Sequence, residues 1–597
     1  MNFSHHRNDC STPVHPVPEP APAHLITSAD RVDISAYTSL PAPASTASVA
    51  VVTGALLLEG CGGGSSGSAA AVDNGSTSTA IPAPISEADA ARFLAQASIG
   101  PSRKLIAQVR SQGHAGWIDA QFATAASASR YDWLIANGFG AVAFRNSKAG
   151  FDAAVWRKLL SGADTLRQRV VLALSEITVV SIDGLTGPWR ALSAAAYFDL
   201  LEANAFGNYR TLLGQISTSP AMGAFLTFRG NTKFNPATGA LPDENYAREL
   251  MQLFTIGLQQ LNADGTPRLV NGVPQETYTL TDITGLARVF TGWDHDLAGK
   301  DTQTPDYVRR PMIQTASKHE SGASSFLGAS IAAGVSGEQC LSLALDAIFA
   351  HPNVAPFISR QLIQKLVTSN PSPAYVGRVA AVFRNDGAGV AGNLKAVIKA
   401  LLLDDEARRG AVAGSATAGT FGTFGKLREP VLRLAAWARA FEAASPADTW
   451  AVGDTSDPAT RLGQSPGRSP SVFNFFRPGY VPPNSSIASS TLVAPEFQIA
   501  NESSVVGYVN FMQRVVSTGV GDVRADYSSL LLLADDAQAL VDEINLVLAA
   551  GQLGSDGVGL LRSAITAMPA GTDAARKNRI YAALTLTLAA PAFLVLK

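Results

Sequence analysis

The stretch RKLLSGADTLRQRVVLALSEITVV, residues 157–180, carries the apolar spacing that decides the fold of this chain. Its apolar side chains recur at intervals of four, four and three residues, at Leu166, Val170, Leu174 and Ile177. Because an α-helix turns once in about 3.6 residues, side chains at these intervals lie on one face of a helix. The stretch therefore predicts a helix with one face turned toward a core.

The same intervals recur along the chain from Glu87 onward, and alternating runs typical of strands are scarce and short. Further helical segments are predicted at residues 194–202, 209–216 and 354–367. Polar, glycine-rich gaps predict long loops near residues 230–242, 262–276, 296–330 and 446–470. The pattern predicts a mainly α fold, either one large multi-helix body or two helical lobes, with long loops and few short strands.

Composition narrows the class of protein. Hydrophobic residues make up 46% of the 597 residues and charged residues 16%, which is enough apolar material for a sizeable core. The formal net charge of −2 offers no basic field to phosphates, so nucleic acid is not expected as a partner. The cysteines are Cys10, Cys61 and Cys340, and no CxxC spacing occurs, which gives no footing to zinc-ribbon or thioredoxin chemistry.

The first 60 residues are predicted to be an export signal region with an unusually long prefix. Ser48–Leu58 is an apolar run of signal-peptide length, too short for a helix that spans a membrane. The run leads into Leu58-Glu59-Gly60-Cys61, which resembles the bacterial lipoprotein signal. Glu59 departs from that pattern, because a small or apolar residue is usual there. The resemblance implies that Cys61 is lipidated.

Two further segments are predicted to follow the signal region. Residues 61–86 are rich in Gly, Ser and Ala and predict a flexible tether, and residues 87–597 predict the helical domain. Gly62 follows the cysteine, which by analogy favours the outer membrane. We expect an exported protein, either an outer-membrane lipoprotein or a periplasmic or extracellular protein, that meets the membrane only through a lipid anchor. The apolar C-terminal segment, which Pro591 interrupts, predicts a buried terminal helix.

PDENYARELMQLF, residues 242–254, concentrates acids, an amide and an arginine on a short helix. Asp243 is predicted as the N-cap, and Glu244 with Arg248 as an ion pair four residues apart. Asn245 and Glu249 form a second polar pair on the far side, away from an apolar stripe. That stripe is predicted at Ala247, Leu250, Met251, Phe254 and Leu258. A structural helix and a catalytic site are both compatible with this pattern.

YTLTDITGLARVFTGW, residues 278–293, predicts a second strongly specified helix. Thr279 and Asp282 have the spacing of a capping box, and Gly292 has the position of a residue that ends a helix. Trp293 is then expected to fold back onto the last turn.

These two stretches carry a resemblance to a known family. Together with HPNVAPFISRQLIQKLVTSNPSPAYVGRVAAVF, KLREPVLRL and RSPSVFNFFRPGYVPP, they are similar to the bacterial family called domain of unknown function 1800. The resemblance covers roughly residues 87–597. It implies an exported, largely helical protein, often encoded beside a sulfatase-like exported protein. No reaction is assigned to the family, so the resemblance implies kinship and not chemistry.

His319-Glu320-Ser321-Gly322 resembles a His-Asp-x-Gly stretch of that family, which usually continues into a lysine where this chain has Ser324. A histidine followed by an acid can form a metal or acid/base site, or it can be an exposed loop pair. His319 and Glu320 are therefore the metal-site candidates, with a divalent metal as the cofactor. The candidate catalytic residues are Glu244, Arg248, Glu249, Asp282, His319 and Glu320.

The loop SPSVFNFFRPGYVPP places aromatic rings beside an arginine. Its candidate ligand-binding residues are Phe473, Phe475, Phe476, Arg477 and Tyr480. Rings of this kind can stack on sugars, in which case several should stand exposed in a row. The alternative is an aromatic plug that docks the loop onto the helical body.

Three functions remain open at this point. The first is an assembly or interaction role at the cell envelope with a sulfatase-like exported partner, as the family resemblance implies. The second is an extracytoplasmic hydrolase or metal-assisted enzyme acting on polysaccharide or sulfated material. The third is a carbohydrate-binding protein built on the aromatic loop, with a glycan as its partner.

Overall fold

A computed structural model of the chain describes residues 84–410 and 423–597. The predicted export signal and the lipidation of Cys61 lie outside these residues, as does the predicted tether of residues 61–86 except for its last three residues. The described residues belong to a compact unit that spans residues 81–597.

Helices dominate the described chain, as the apolar spacing predicts. The first of them are α1 Glu87–Ala97, α2 Arg103–Ala123, α3 Arg130–Ala136, α4 Phe151–Ser161, α5 Thr165–Ile177, α6 Arg190–Asn204, α7 Tyr209–Ser217, α8 Pro220–Phe225, α9 Asn245–Gln252 and α10 Leu280–Ala287. The next are α11 Gly337–Phe349, α12 Val354–Leu366, α13 Pro373–Arg384, α14 Leu394–Leu403, α15 Asp405–Arg409 and α16 Pro430–Ala440. The last are α17 Ser486–Ser489, α18 Glu502–Thr518, α19 Ser528–Leu531, α20 Ala537–Ala549, α21 Gly554–Thr566, α22 Asp573–Ala589 and α23 Pro591–Leu594.

The strands of the described residues are short and form antiparallel pairs. The pairs are β1 Leu269–Val270 with β2 Val273–Pro274, β3 Trp293–Asp294 with β4 Ile313–Gln314, β5 Ser324–Phe326 with β6 Ala329–Ile331, and β7 Lys426–Leu427 with β8 Val595–Leu596. The prediction of a mainly α fold with few short strands is confirmed.

The opening stretch forms two helices where its spacing predicts one. Helix α4 ends at Ser161 and α5 begins at Thr165, with Gly162 between them. A side chain at Gly162 would lie 2.7 Å from the carbonyl oxygen of Lys158, so only glycine fits this turn closely. Both helices pack on α6, and the predicted apolar face of α5 is buried.

Many helices begin at a small polar residue whose side chain accepts a backbone N–H. The capping residues include Ser86, Ser102, Ser129, Asn208, Ser336, Ser372, Asn393, Asn501 and Thr572. Each cap accepts a hydrogen bond from a backbone N–H that has no partner within the helix. Because small polar residues are strongly preferred at this position, the starts of these helices can be predicted from the sequence.

The buried apolar side chains form a core that runs from α1 to α23, with Trp117, Trp156 and Trp437 almost fully enclosed. The C-terminal helices close this core. Helix α22 packs on α18 and α20, and β8 pairs with β7. The prediction of a buried terminal helix is confirmed.

Among the described helices, none is by itself long and apolar enough to cross a membrane. Helices α11 and α12, which meet at an angle of 76°, together have the length and the apolar composition that a membrane span requires.

Candidate functional site

Helix α9 begins one residue later than its sequence predicts. Glu244 occupies the capping position, and Asp243 accepts a hydrogen bond from the Asn245 backbone N–H at 2.8 Å. The prediction of Asp243 as the N-cap is therefore wrong by one position. The predicted ion pair is present, with Arg248 Nη2 3.4 Å from Glu244 Oε2.

Glu249 lies on the buried side of α9, where the sequence places it on the far side. It is 6% exposed, burial raises the pKa of its carboxyl, and its Oε2 has no hydrogen-bond partner among the described residues. Leu258, predicted to continue the buried stripe, is 58% exposed. The exposure of Leu258 arises because α9 ends at Gln252 and the chain turns sharply at Gly257, which has a φ of 72°.

Asp282 forms the predicted capping box with Thr279 at the start of α10. Its Oδ1 also accepts the Leu327 backbone N–H at 2.7 Å, which ties α10 to the turn between β5 and β6. Although burial acts to raise it, these backbone donors lower the pKa of Asp282 overall. The predicted fold-back of Trp293 is confirmed, since its Nε1 donates to the Val289 carbonyl at 3.3 Å.

His319 is buried, so the interpretation of His319 and Glu320 as an exposed loop pair is wrong. Its Nδ1 lies 3.1 Å from the carbonyl oxygen of Thr291, and its Nε2 has no partner among the described residues. Glu320 pairs with Arg288 at 3.3 Å. Ser324, at the family's lysine position, donates to the Gly285 carbonyl at 2.5 Å.

Hydrogen bonds and ion pairs do not join the candidate catalytic residues of α9 and α10 to the His319-Glu320 stretch in the part of the chain that the structure describes. Within residues 84–410 and 423–597, no hydrogen bond or ion pair joins His319 or Glu320 to Glu244, Arg248, Glu249 or Asp282. The same residues contain no group of three or more His, Cys, Asp and Glu side chains arranged to hold a metal ion. The catalytic and metal-binding roles of these residues remain predictions.

A cleft of about 560 Å³ opens at a different place, between the end of α9, one face of α12 and the aromatic loop. We call it the aromatic-loop cleft. Its lining residues are Glu176, Ile177, Gln252, Leu253, Gly257, Leu258, Gln259, Leu261, Phe357, Arg360, Gln361, Gln364, Val472, Phe473, Phe476, Arg477, Pro478 and Gly479. Phe357, Arg360, Gln361 and Gln364 face it together because they are spaced three and four residues apart on α12.

The aromatic loop forms a wall of this cleft and not an exposed row of rings. Phe476 is 1% exposed, and Phe473, Phe475 and Tyr480 are half-buried. The expectation of several exposed rings is therefore wrong, and an open sugar-stacking platform on this loop is ruled out with it; a sugar could meet these rings only inside the cleft. Phe473, Phe476 and Arg477 nevertheless line the cleft, whereas Phe475 lines a small neighbouring cavity and Tyr480 lines neither.

A buried charge cluster lies behind the floor of the cleft. Glu176, with its side chain 6% exposed, is 2.9 Å from Lys365 Nζ. Glu429 is fully buried, 3.3 Å from Lys426 Nζ, and Lys426 also lies 3.0 Å from Glu496. Gln464 Nε2 donates to Glu429 at 3.0 Å and to Glu176 at 3.4 Å, so it bridges the two carboxyls.

The pKa values of Glu176 and Glu429 are shifted in opposite directions. Burial and the adjacent Glu429 raise the pKa of Glu176. Although burial acts to raise it, Lys426 and a hydrogen bond from Glu176 lower the pKa of Glu429. Glu176 is therefore the carboxyl of this pair that takes up a proton more readily, because two adjacent buried carboxyls cannot both ionise easily.

The sequence motifs do not single out this pair. Glu176 follows the apolar run VVLALS in α5, and Glu429 precedes the apolar start of α16. An isolated acid inside a strongly apolar helix is the one signal that could have indicated Glu176, because an unpaired buried carboxylate is costly.

A family model for a protein of unknown function, DUF1800, matches residues 92–595. No curated protein matches the chain. No solved structure matches it either. The match extends over most of the chain, from α1 to β8, and includes every segment that builds the cleft. This chain therefore belongs to the DUF1800 family of proteins of unknown function.

Proposed function

We propose that this protein is an exported cell-envelope protein that binds carbohydrate in the aromatic-loop cleft. The observation that supports the proposal is the lining of the cleft, which combines aromatic rings with glutamine side chains. A ring face packs well against the apolar C–H face of a sugar, and an amide can both donate to and accept from hydroxyl groups. A concave, mostly apolar site with a few convergent polar groups is typical of small-molecule binding.

The glutamines of the cleft retain hydrogen-bonding capacity for a ligand. Gln361 and Gln364 donate through Nε2 to backbone carbonyls, at 3.4 Å for Leu253 and 3.0 Å for Ser369, and their Oε1 atoms have no partner among the described residues. Gln252 accepts from the Tyr278 hydroxyl at 3.2 Å and keeps its amide N–H₂ free within the same set. Three amides therefore face the cleft with unused acceptors or donors.

Binding fits this cleft better than glycoside hydrolysis. A glycosidase needs two carboxyl groups facing the sugar from roughly 5–10 Å apart. Among the described residues that line the cleft, Glu176 is the only acid. Glu429, its partner, lies behind the floor and is fully buried. The hydrolase alternative would need a second carboxyl that these walls do not contain.

The cellular location in this proposal rests on the lipoprotein-like segment that ends at Cys61 and on family membership. An assembly role with a sulfatase-like exported protein remains a separate prediction. No feature of the described residues favours it over carbohydrate binding.

A screen of the full-length protein against immobilised oligosaccharides, followed by titration calorimetry on the hits, tests the proposal. Phe473→Ala should weaken binding of a hit about tenfold, because losing a stacked ring costs on the order of 1.4 kcal/mol. Phe497→Ala is the matched control, since Phe497 is 38% exposed and lies outside the cleft lining. The proposal fails if no oligosaccharide binds, or if both variants bind as the wild type does.

A further inference from the structure

Two arginines, one on α12 and one on the aromatic loop, line the aromatic-loop cleft without an acidic partner among the described residues. Arg360 projects from α12 and is exposed, and its guanidinium makes no hydrogen bond or ion pair with any described residue. The guanidinium of Arg477 lies 4.5 Å from the centre of the Phe473 ring and likewise pairs with no carboxylate among the described residues. The cleft therefore presents two uncompensated positive charges.

The isolation of Arg360 also appears in its acid–base behaviour. Partial desolvation by the cleft walls lowers its pKa, and no neighbouring carboxylate offsets this effect. Some arginines elsewhere are paired closely with acids, as Arg468 is with Asp152 at 2.7 Å. A guanidinium in a cleft that has no carboxylate partner can form an ion pair with an anionic group of a ligand.

The floor of the cleft does not cancel these charges. Glu176 is the one acid among the described lining residues, and it faces Lys365 at 2.9 Å and the carboxyl of Glu429. Because Glu176 is paired with Lys365, the floor contributes little net negative charge. An anion entering the cleft therefore meets two cations and a carboxyl that a buried lysine already balances.

We propose that the carbohydrate bound in this cleft is acidic and that Arg360 and Arg477 recognise its sulfate or carboxylate groups. A guanidinium matches both groups in shape, because it can donate two parallel N–H bonds to two oxygens. A cation–π contact with the Phe473 ring holds the Arg477 guanidinium in place. The pair thus sets an aromatic ring, on which a sugar can stack, beside a guanidinium that can bind an anionic group. This inference rests on the proposed carbohydrate-binding function.

Calorimetric titration of the full-length protein with three chains of equal length tests the inference. The probes are maltohexaose, which is neutral, its sulfated derivative, and an oligogalacturonate with one carboxylate on each sugar. At least one acidic chain should bind tenfold or more tightly than maltohexaose, and its affinity should fall as salt is added, since exposed ion pairs are screened. Preference for the sulfated chain or for the uronate chain identifies which acidic group the arginines bind.

Variants separate charge recognition from general binding. Arg360→Gln and Arg477→Gln should each weaken binding of the acidic chain about tenfold and leave maltohexaose binding nearly unchanged. Arg562→Gln is the control, because Arg562 is exposed, forms no ion pair among the described residues and lies outside the cleft. Both cleft arginines are exposed, so these variants should melt as the wild type does.

The outcomes distinguish this inference from the function on which it rests. Equal binding of neutral and acidic chains, with no effect of the arginine variants, would overturn acidic recognition and leave carbohydrate binding intact. Failure of all three chains, together with a negative screen, would remove the proposed function and this inference with it.

Discussion

At the scale of single residues, the cleft floor depends on the unequal roles of two carboxyls. Glu176 borders the cleft and has a raised pKa, whereas Glu429 is enclosed with Lys426 and Gln464 and has a lowered pKa. A neutral carboxyl resembles an amide in size and hydrogen bonding, but a buried carboxylate that balances a buried lysine has no neutral substitute. The two residues should therefore respond very differently to the same change.

Glu176→Gln should lower the free energy of unfolding by less than about 1 kcal/mol, because the carboxyl with the raised pKa is the one that an amide replaces most easily. Glu429→Gln should lower it by about 3 kcal/mol or more, because Lys426 loses one of its two buried counter-charges, the other being Glu496. Urea unfolding of the two full-length variants at neutral pH measures the difference. Equal losses would contradict the assignment, since they would mean that Glu176 is charged and that Lys365 depends on it.

How far the sequence predicts single residues depends on how local their partners are. The ion pair of Glu244 with Arg248 and the capping role of Asp282 follow from spacing alone and are confirmed. Contacts between distant parts of the chain do not follow from spacing. Glu176 meets Glu429 only because α5 and the start of α16 are brought together in the folded core.

At the scale of elements, α10 shows how a helix start also fixes a loop. Asp282 accepts the Thr279 backbone N–H through Oδ2 at 2.7 Å and the Leu327 backbone N–H through Oδ1 at 2.7 Å. One carboxylate thus caps the helix and anchors the hairpin of β5 and β6. This geometry gives Asp282 a structural role whether or not it has a catalytic one.

Asp282→Ala should lower the free energy of unfolding by about 1–2 kcal/mol, as expected for the loss of a helix cap. Asp556→Ala is the control, because Asp556 lies in the first turn of α21, is exposed and, within residues 84–410 and 423–597, accepts only the Ser555 hydroxyl, at 3.3 Å. The control should change stability by about 0.5 kcal/mol or less. Thermal unfolding of both variants provides the comparison, and equal effects would show that the cap and the Leu327 contact contribute nothing.

The boundaries of the helices follow less closely from the apolar spacing of the sequence than the presence of the helices does. The helical character of residues 157–180 is correct, but the turn at Gly162 divides it, and α9 stops at Gln252 before its predicted stripe is complete. A close approach of the backbone decides the boundary at Gly162, and a turn of the chain decides it after α9. Apolar spacing predicts neither of these features. The early end of α9 matters functionally, because it sends Leu258 and Gln259 into the cleft.

At the scale of the whole molecule, the cleft is assembled from parts of the chain that lie far apart in sequence. Three parts of the chain build it: the end of α9, one face of α12 and the loop 472–479. Each part belongs to a stretch of sequence that carries the family resemblance. The sequence shows that each stretch is distinctive. It could not show that they meet, because their meeting depends on packing of the helices between them.

Hydrogen–deuterium exchange of the full-length protein, with and without the tightest acidic oligosaccharide, tests the central claim most directly. Binding in the aromatic-loop cleft should slow exchange in residues 252–261, 357–364 and 472–479 and leave the capping turn at 279–282 unchanged, since that turn lies outside the cleft lining. Protection confined to these three segments would locate the carbohydrate in the cleft. Protection centred on residues 316–324 around His319, with the cleft segments unchanged, would contradict the account.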